Sequence, residues 1–257
     1  MAKRPLLTLL RERFPTETKD SLFARVLCGE VVVDGERVKD AKRPVRADAS
    51  VELESPRYVS RGGDKLEAAL TAWQLPVHGK VFLDAGASTG GFTDCLLSHG
   101  AAAVHAVDVG YNQLAYRLRE DPRVVVHERT NVTEVHSLDP PPDAAVCDLS
   151  FRSLAGIARK LMDLTRERWF VALVKPQFEW VDPPDSFDGV VRRREDAHGV
   201  LLETLRRLAE DGAPVERLMA SPIRGRRGNH EYLALCCGIE KPVAGPEELI
   251  AGLGERW

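Results

Sequence analysis

From residue 80 onward the chain alternates between short apolar runs and longer amphipathic stretches. The apolar runs fall at 81–84, 104–108, 124–127, 144–148 and 169–175; helical patterns occupy 92–98, 113–119 and 154–164. Parallel strands need long crossover connections, which are usually helices that cover both faces of the sheet. A chain with this rhythm is therefore expected to be α/β, a doubly wound Rossmann-like sheet. A helix at 196–210 and closing strands near 216–220 and 232–236 complete the series. The segment Pro183-Pro184-Asp185-Ser186-Phe187-Asp188-Gly189 interrupts it and reads as a loop over a site.

The first 53 residues have a different character. Leu6, Leu7, Leu9 and Leu10 predict one helix, broken near Pro15, and a second runs from Thr18 or Asp20 to Gly29. Val31-Val32-Val33-Asp34-Gly35-Glu36-Arg37-Val38 is a hairpin signal with Asp-Gly as its turn, and Val51-Glu52-Leu53 alternates as a closing strand. Two short helices, a tight hairpin and scattered cations suit a small α+β surface-binding module; a structural appendage is the alternative.

Composition narrows the function classes. The chain has 257 residues and a formal net charge of −3, so binding to nucleic acid has to come from local patches rather than an overall basic field. Cys28, Cys95, Cys147, Cys236 and Cys237 form no Cys-x-x-Cys pair and no metal-like spacing with histidine, which predicts reduced, buried thiols and no metal. The apolar start Leu6-Leu7-Thr8-Leu9-Leu10 is too short for a signal-peptide core, and no run approaches the ~20 residues that span a bilayer. The expectation is a cytoplasmic protein without stable membrane association.

The first strand ends at Asp84 and is followed by Gly86, Ala87, Ser88, Thr89, Gly90, Gly91 and Phe92. Small residues there let the backbone approach a nucleotide-type ligand at the carboxyl ends of the strands. The spacing is not the Gly-x-Gly-x-x-Gly that seats a pyrophosphate, and an acidic residue beside the loop would repel one. It suits a cationic ligand such as S-adenosylmethionine. Asp108, ending the second strand, is placed to accept the two ribose hydroxyls of an adenosine, and Asp148 closes the fourth strand, where a methyl acceptor would meet the cofactor. A hydride-transferring dehydrogenase would share Asp108 but not the glycine spacing.

These stretches carry a recognisable pattern. Gly86-Ala87-Ser88-Thr89-Gly90-Gly91-Phe92-Thr93-Asp94, Ala106-Val107-Asp108-Val109-Gly110-Tyr111, Glu128-Arg129-Thr130-Asn131, Val174-Lys175-Pro176-Gln177-Phe178-Glu179 and Gly228-Asn229-His230-Glu231-Tyr232 closely resemble the TlyA family. Those proteins are ribosomal RNA 2′-O-methyltransferases, often labelled hemolysins, and the resemblance covers nearly the whole chain. It implies a class I, FtsJ-like methyltransferase domain using S-adenosylmethionine, and methylation of a cytidine ribose in ribosomal RNA within ribosomal subunits. It implies Lys65, Asp148, Lys175 and Glu231 as the catalytic Lys-Asp-Lys-Glu set, and it adds Asn131 to the cofactor contacts. The implied organisation is an RNA-binding domain of ribosomal protein S-four type at 1–56, a linker and helix at 57–79, the methyltransferase domain at 80–241 and a tail at 242–257. Two stretches depart from the family: Thr18-Lys19-Asp20-Ser21-Leu22-Phe23-Ala24-Arg25 has fewer cations, and Phe187-Asp188-Gly189 is short in glycine.

A ribose 2′-hydroxyl is a poor nucleophile, so Lys175 is expected to act on it as base or as stabiliser of the alkoxide, with Lys65 a neighbouring ammonium. Asp148 and Glu231 would orient the two lysines. Arginine suits phosphate through its fork of donors. Arg57, Arg61, Arg152, Arg192, Arg193, Arg194, Arg224, Arg226 and Arg227 are candidate RNA contacts, with Arg4 and Arg25 in the small module; His127, His136 and His230 read as structural or surface residues. The competing readings are an assembly factor with a vestigial methyltransferase domain, a membrane-lysing hemolysin, and a base methyltransferase.

Overall fold

The computed structural model describes residues 3–54, 57–150, 153–225, 227–238 and 244–254. They fall into two compact units, Met1–Arg57 and Tyr58–Trp257.

In the first unit β1 (Lys3–Pro5) and α1 (Leu6–Arg13) lead to α2 (Lys19–Cys28). Thr18 caps α2 by accepting from Ser21 N at 3.1 Å, and Gly29 ends it in the left-handed conformation. Next come β2 (Val31–Val33), β3 (Glu36–Val38), β4 (Pro44–Arg46) and β5 (Val51–Leu53). The β2–β3 turn has positive φ at both Asp34 (49°) and Gly35 (80°), as a two-residue hairpin loop requires. β5 pairs with the other edge of β2, and Leu6, Leu9, Leu10, Leu22, Val26 and Val31 form the core beneath. The β1–β4 pair was not foreseen; three-residue strands with Pro5 opposite Pro44 carry no readable alternation.

The second unit opens with α3 (Arg61–Trp73) and then builds one seven-stranded sheet. Its elements are β6 (Val81–Ala85), α4 (Gly91–Ser98), β7 (Ala103–Val107), α5 (Tyr116–Arg119), β8 (Val124–His127), β9 (Ala144–Cys147), α6 (Ala158–Leu164), β10 (Trp169–Val174), α7 (Pro176–Glu179), α8 (Arg194–Glu210), β11 (Val215–Ala220), β12 (Tyr232–Cys237) and α9 (Pro246–Ala251). The spatial order is β11-β12-β10-β9-β6-β7-β8. β8, β7, β6, β9 and β10 run parallel, and β12 is antiparallel to both of its neighbours. Successive residues of the strands face opposite layers: Phe82, Val104 and Val171 meet α3, α4 and α5, while Leu83, Ala145 and Phe170 meet α6 and α8.

Three details differ from the sequence reading. α3, expected in a connecting segment, packs into the second unit through Leu66, Ala69 and Leu70. The tail carries α9, whose flank Leu249, Ile250 and Leu253 rests on the core beside α8, with Arg206 bonded to Glu247 at 2.6 Å. α5 and α6 are shorter than predicted, because 113–115 are irregular around a bend at 114 and a turn takes up 155–157. Among the described residues no helix is long and apolar enough to cross a membrane.

Candidate active site

The four catalytic candidates meet because of sheet direction. Asp148 and Lys175 follow the carboxyl ends of the parallel strands β9 and β10. Glu231 precedes β12, and because β12 runs antiparallel with Tyr232 opposite Val174, its amino end lies at that same edge. Lys65 comes from one turn inside α3, which Asp94 of α4 anchors by accepting from Val59 N at 2.8 Å. The two helix starts approach closely: a Cβ on Gly91 would lie 2.2 Å from Ser60 Oγ, so glycine is needed there.

The result is a cavity of about 580 Å³ within the second unit. Its walls include Lys65, Asp148, Lys175 and Glu231, together with Gly86, Ala87, Ser88, Thr89, Gly91 and Phe92 of the loop after β6. Lys65 and Glu231 are buried and form a short ion pair between Lys65 Nζ and Glu231 Oε2. Lys175 Nζ lies 2.5 Å from Asp148 Oδ1, an ion pair not aligned as a hydrogen bond, and donates to Ser150 Oγ (3.0 Å) and Leu149 O (3.2 Å). Each lysine thus has its own carboxylate, the arrangement expected if Asp148 and Glu231 orient the two lysines. Ser150, Gln177, Phe178, Gly225 and Asn229 also line the cavity. All lie in or beside the motifs read from sequence, but their side chains had been given no role.

The cofactor candidates divide. Asp108 holds its position through both oxygens, accepting from Ser88 N (2.8 Å) and Gly110 N (2.6 Å), and borders a small cleft with Ala87, Gln113 and Glu128. Asp84 is fully buried rather than facing the cavity; Oδ2 accepts from Thr93 N (2.9 Å) and Thr93 Oγ1 (2.6 Å). Burial raises its carboxyl to about 7, against the Thr93 bonds and helped by Asp148 and Asp108. Gly90 turns the chain into α4 and faces Leu114 and Leu118 instead of the cavity. Asn131 caps the 3-10 turn Val132–Glu134 through Thr133 N (3.2 Å) and lines neither cleft.

The candidate RNA contacts divide as well. Arg61 and Arg227 line the cavity, and Arg224 is exposed nearby in chain. Arg4 is bonded to Glu12 at 2.9 Å, Arg25 lies 3.6 Å from both Glu17 and Glu30, and Arg193 lies 3.6 Å from Glu195. Arg192 clasps Asp188 with both terminal nitrogens (2.9 and 2.7 Å) and holds that carboxyl down at about 2. These four are engaged by local acids that any phosphate would have to displace. Arg57 belongs to the first unit, and Arg226 and Arg152 lie outside the described residues.

One grouping was not visible in the cysteine spacing. Glu67 of α3, Cys95 of α4 and His99, which caps the end of α4, bring ligand-type atoms within 4.8 Å of one another. Glu67 accepts there from Tyr58 OH at 2.8 Å, pairs with His99 Nε2 and receives Cys95 Sγ at 3.7 Å, so the group ties the two helices together. Cys95, Cys147 and Cys236 are buried free thiols, and Cys237 is partly buried. His105 Nδ1 and His127 Nε2 are 3.1 Å apart, a structural pair under β7 and β8.

A five-strand parallel run with an antiparallel strand inserted near one edge, and a glycine-lined cleft at the carboxyl ends, define a nucleotide-cofactor methyltransferase. Residues 58–236 match the FtsJ-like methyltransferase model. The chain is 45% identical over 210 residues to the 16S/23S rRNA (cytidine-2′-O)-methyltransferase TlyA of Mycobacterium tuberculosis, covering 79% of this chain and 78% of that one. It is 38% identical over 224 residues to Hemolysin A of Brachyspira hyodysenteriae, covering 85% and 93%. A solved Streptococcus thermophilus structure bearing the hemolysin name superposes with a TM-score of 0.73 at 37% identity, covering 98% of this chain and 96% of that one. The chain belongs to the FtsJ-like methyltransferase family, within its TlyA group. It is a methyltransferase, and its cofactor is S-adenosylmethionine.

The residues present fit that cofactor. Asp148 lines the cavity with a partly exposed carboxylate, a negative group that suits a ligand carrying positive charge. Asp108 has lone pairs beyond those used by Ser88 and Gly110, and the loop 86–92 offers backbone rather than bulk.

Proposed function

We propose that this protein methylates the 2′-hydroxyl of a cytidine ribose in ribosomal RNA, working on ribosomal subunits in the cytoplasm. The observation that carries the reading is the pairing of Lys65 with Glu231 and Lys175 with Asp148 on the walls of one glycine-lined cavity. Four charged groups so arranged suit an alcohol that must lose a proton. The names of the relatives supply the substrate class.

The loop 86–92 and Asp108 would hold the adenosine and amino-acid parts of S-adenosylmethionine, which when bound supplies an activated methyl group. The chain's own residues then have three tasks. The cavity walls fix the ribose oxygen relative to the methyl carbon, and positioning of this kind is worth up to ~7–11 kcal/mol of a barrier. Lys175, held in direction by Ser150 Oγ and Leu149 O, donates a hydrogen bond to the oxygen as negative charge develops on it. The proton released passes to the Asp148–Lys175 pair, and the Lys65–Glu231 pair sets the opposite wall. Arg61 and Arg227 border the cavity where a phosphate next to the target ribose would lie. The first unit, residues 1–57, supplies a second RNA contact.

The test is to incubate the protein with S-adenosylmethionine and unmodified ribosomal subunits, digest the RNA and measure nucleosides by mass spectrometry, with Lys175→Ala in parallel. A 2′-O-methylcytidine peak that disappears in the variant supports the reading. Cofactor binding without any methylated nucleoside on either subunit refutes the ribosomal substrate.

A further inference from the structure

Asn229 sits two residues before Glu231, is 4% exposed, and touches neither lysine nor the cofactor loop in any hydrogen bond of the structure. Its side chain instead bridges to a distant stretch of chain. Nδ2 donates to Gly189 O (2.9 Å), and Oδ1 accepts from Val191 N (2.9 Å). An amide side chain can meet one backbone carbonyl and one backbone N–H together; neither a carboxylate nor an ammonium can do both. Its backbone is used as well: Asn229 O accepts from Gly225 N (2.9 Å), which closes the tight turn under Glu231. On that turn Gly225 packs against the Glu231 carboxylate, with a would-be Cβ 2.5 Å from Oε1.

Both segments that Asn229 joins face the cavity, Gly189 on one and Gly225, Arg227 and Glu231 on the other. The loop from Val181 to Arg193 has no regular secondary structure beyond turns, so its backbone groups depend on such bonds for a fixed position. A second bond runs alongside, from Arg227 Nη1 to Asp188 O (2.6 Å), but that arginine is 61% exposed on its side chain while Asn229 and Val191 are buried.

We propose that Asn229 is a positioning residue that clamps the 188–191 wall of the cavity to the Glu231 segment, so that the surface receiving the RNA and the Glu231–Lys65 pair move as one piece. The inference rests on the ribose-methylation reading for its kinetic consequence, while the clamp itself is measurable without activity. Removing the amide leaves Val191 N buried without an acceptor, and the wall moves outward to hydrate it. The cofactor loop after β6 shares no hydrogen bond with Asn229 and keeps its affinity.

The experiment compares wild type, Asn229→Ala and Asn229→Asp, each full length, by hydrogen exchange at Val191, by S-adenosylmethionine binding and by steady-state methylation of ribosomal subunits. Asn229→Ala is expected to speed Val191 exchange at least tenfold, raise the KM for RNA about tenfold, lower kcat by a further ~10-fold and leave cofactor affinity within twofold. Asn229→Asp keeps the acceptor for Val191 and loses the donor to Gly189, so it retains Val191 protection and falls between the two. In a Glu231→Gln background, Asn229→Ala is expected to raise KM without lowering kcat again. Unchanged Val191 exchange in Asn229→Ala overturns the clamp whatever the activity, and kcat losses that multiply in the Glu231→Gln background overturn its action through Glu231. A wild type that methylates no RNA would refute the ribose-methylation reading instead, and faster Val191 exchange in the alanine variant would still establish the clamp. If the alanine variant does not fold, the aspartate variant decides through the donor it loses to Gly189 O: a raised RNA KM with unchanged cofactor affinity supports the clamp, and a wild-type KM overturns it.

Discussion

Gly225→Ala adds one methyl group and tests whether the position of Glu231 matters to the chemistry. The new Cβ would sit 2.5 Å from Glu231 Oε1, whereas ordinary contact begins at 3.4 Å, so the carboxylate must retreat by about 0.9 Å. It has little room to do so, being buried and held on Oε2 by Lys65. A displacement near 1 Å in a reacting constellation can cost about 100-fold in rate. Overpacking a buried site also costs about 1–3 kcal/mol of stability. The expected result is a kcat lower by about two orders of magnitude with S-adenosylmethionine affinity unchanged, read by single-turnover methylation of unmodified subunits at saturating cofactor. The melting temperature should fall by only a few degrees. A Gly225→Ala enzyme with kcat within threefold of wild type would show that Glu231 tolerates displacement and that its carboxylate does not act in the transition state.

Three further outcomes follow from the same structure. Lys65→Met leaves the Glu231 carboxylate buried without its cation and should cost about 3–5 kcal/mol in denaturant unfolding; Lys65→Met with Glu231→Leu should recover most of that stability but no activity, and a single variant as stable as wild type would exclude the pair as drawn. Asp84 ionises at about 7 in the fold against an ordinary 3.8, so the unfolded chain releases that proton first and stability falls as pH rises from about 4 to 7. Asp84→Asn should therefore flatten that stretch of the stability curve and stabilise the protein at pH 8 by up to about 4 kcal/mol; parallel curves for the two proteins would contradict the assignment. Deleting residues 1–57 should raise the RNA KM at least tenfold while cofactor binding, followed by calorimetry, stays unchanged.

Much of this arrangement was legible in the sequence because it follows from periodicity. β6, β7, β9 and β10 are short apolar runs buried on both faces, and each is followed by small or charged residues at the sheet's carboxyl edge, so Asp108, Asp148 and Lys175 could be placed from pattern alone. Glu231 was legible only through family resemblance, because its position depends on β12 running antiparallel, which no local pattern encodes. The direction in which a side chain points at a strand end was not readable either. Asp84 turns into the core to meet Thr93, although its neighbours two and three residues on line the cavity. Arginine runs mislead for a related reason: sequence shows the cations of Arg192 and Arg193 but not that Asp188 and Glu195 meet them in the fold. Asn229 escaped notice because its two partners lie 38 and 40 residues away, in a loop that periodicity cannot register.

The Lys65–Glu231 pair joins residues 166 positions apart. The cofactor-facing side, from β6 through β7, is built from neighbouring residues and needs only short loops to close. Its counterpart waits for the last strand to insert between β10 and β11, a long-range closure that comes late in assembly. During synthesis the chain therefore carries the elements for holding its cofactor well before it carries those for using it. A chain that stops before β12 has the loop after β6 but lacks Glu231, so the cavity is complete only once that strand has joined the sheet.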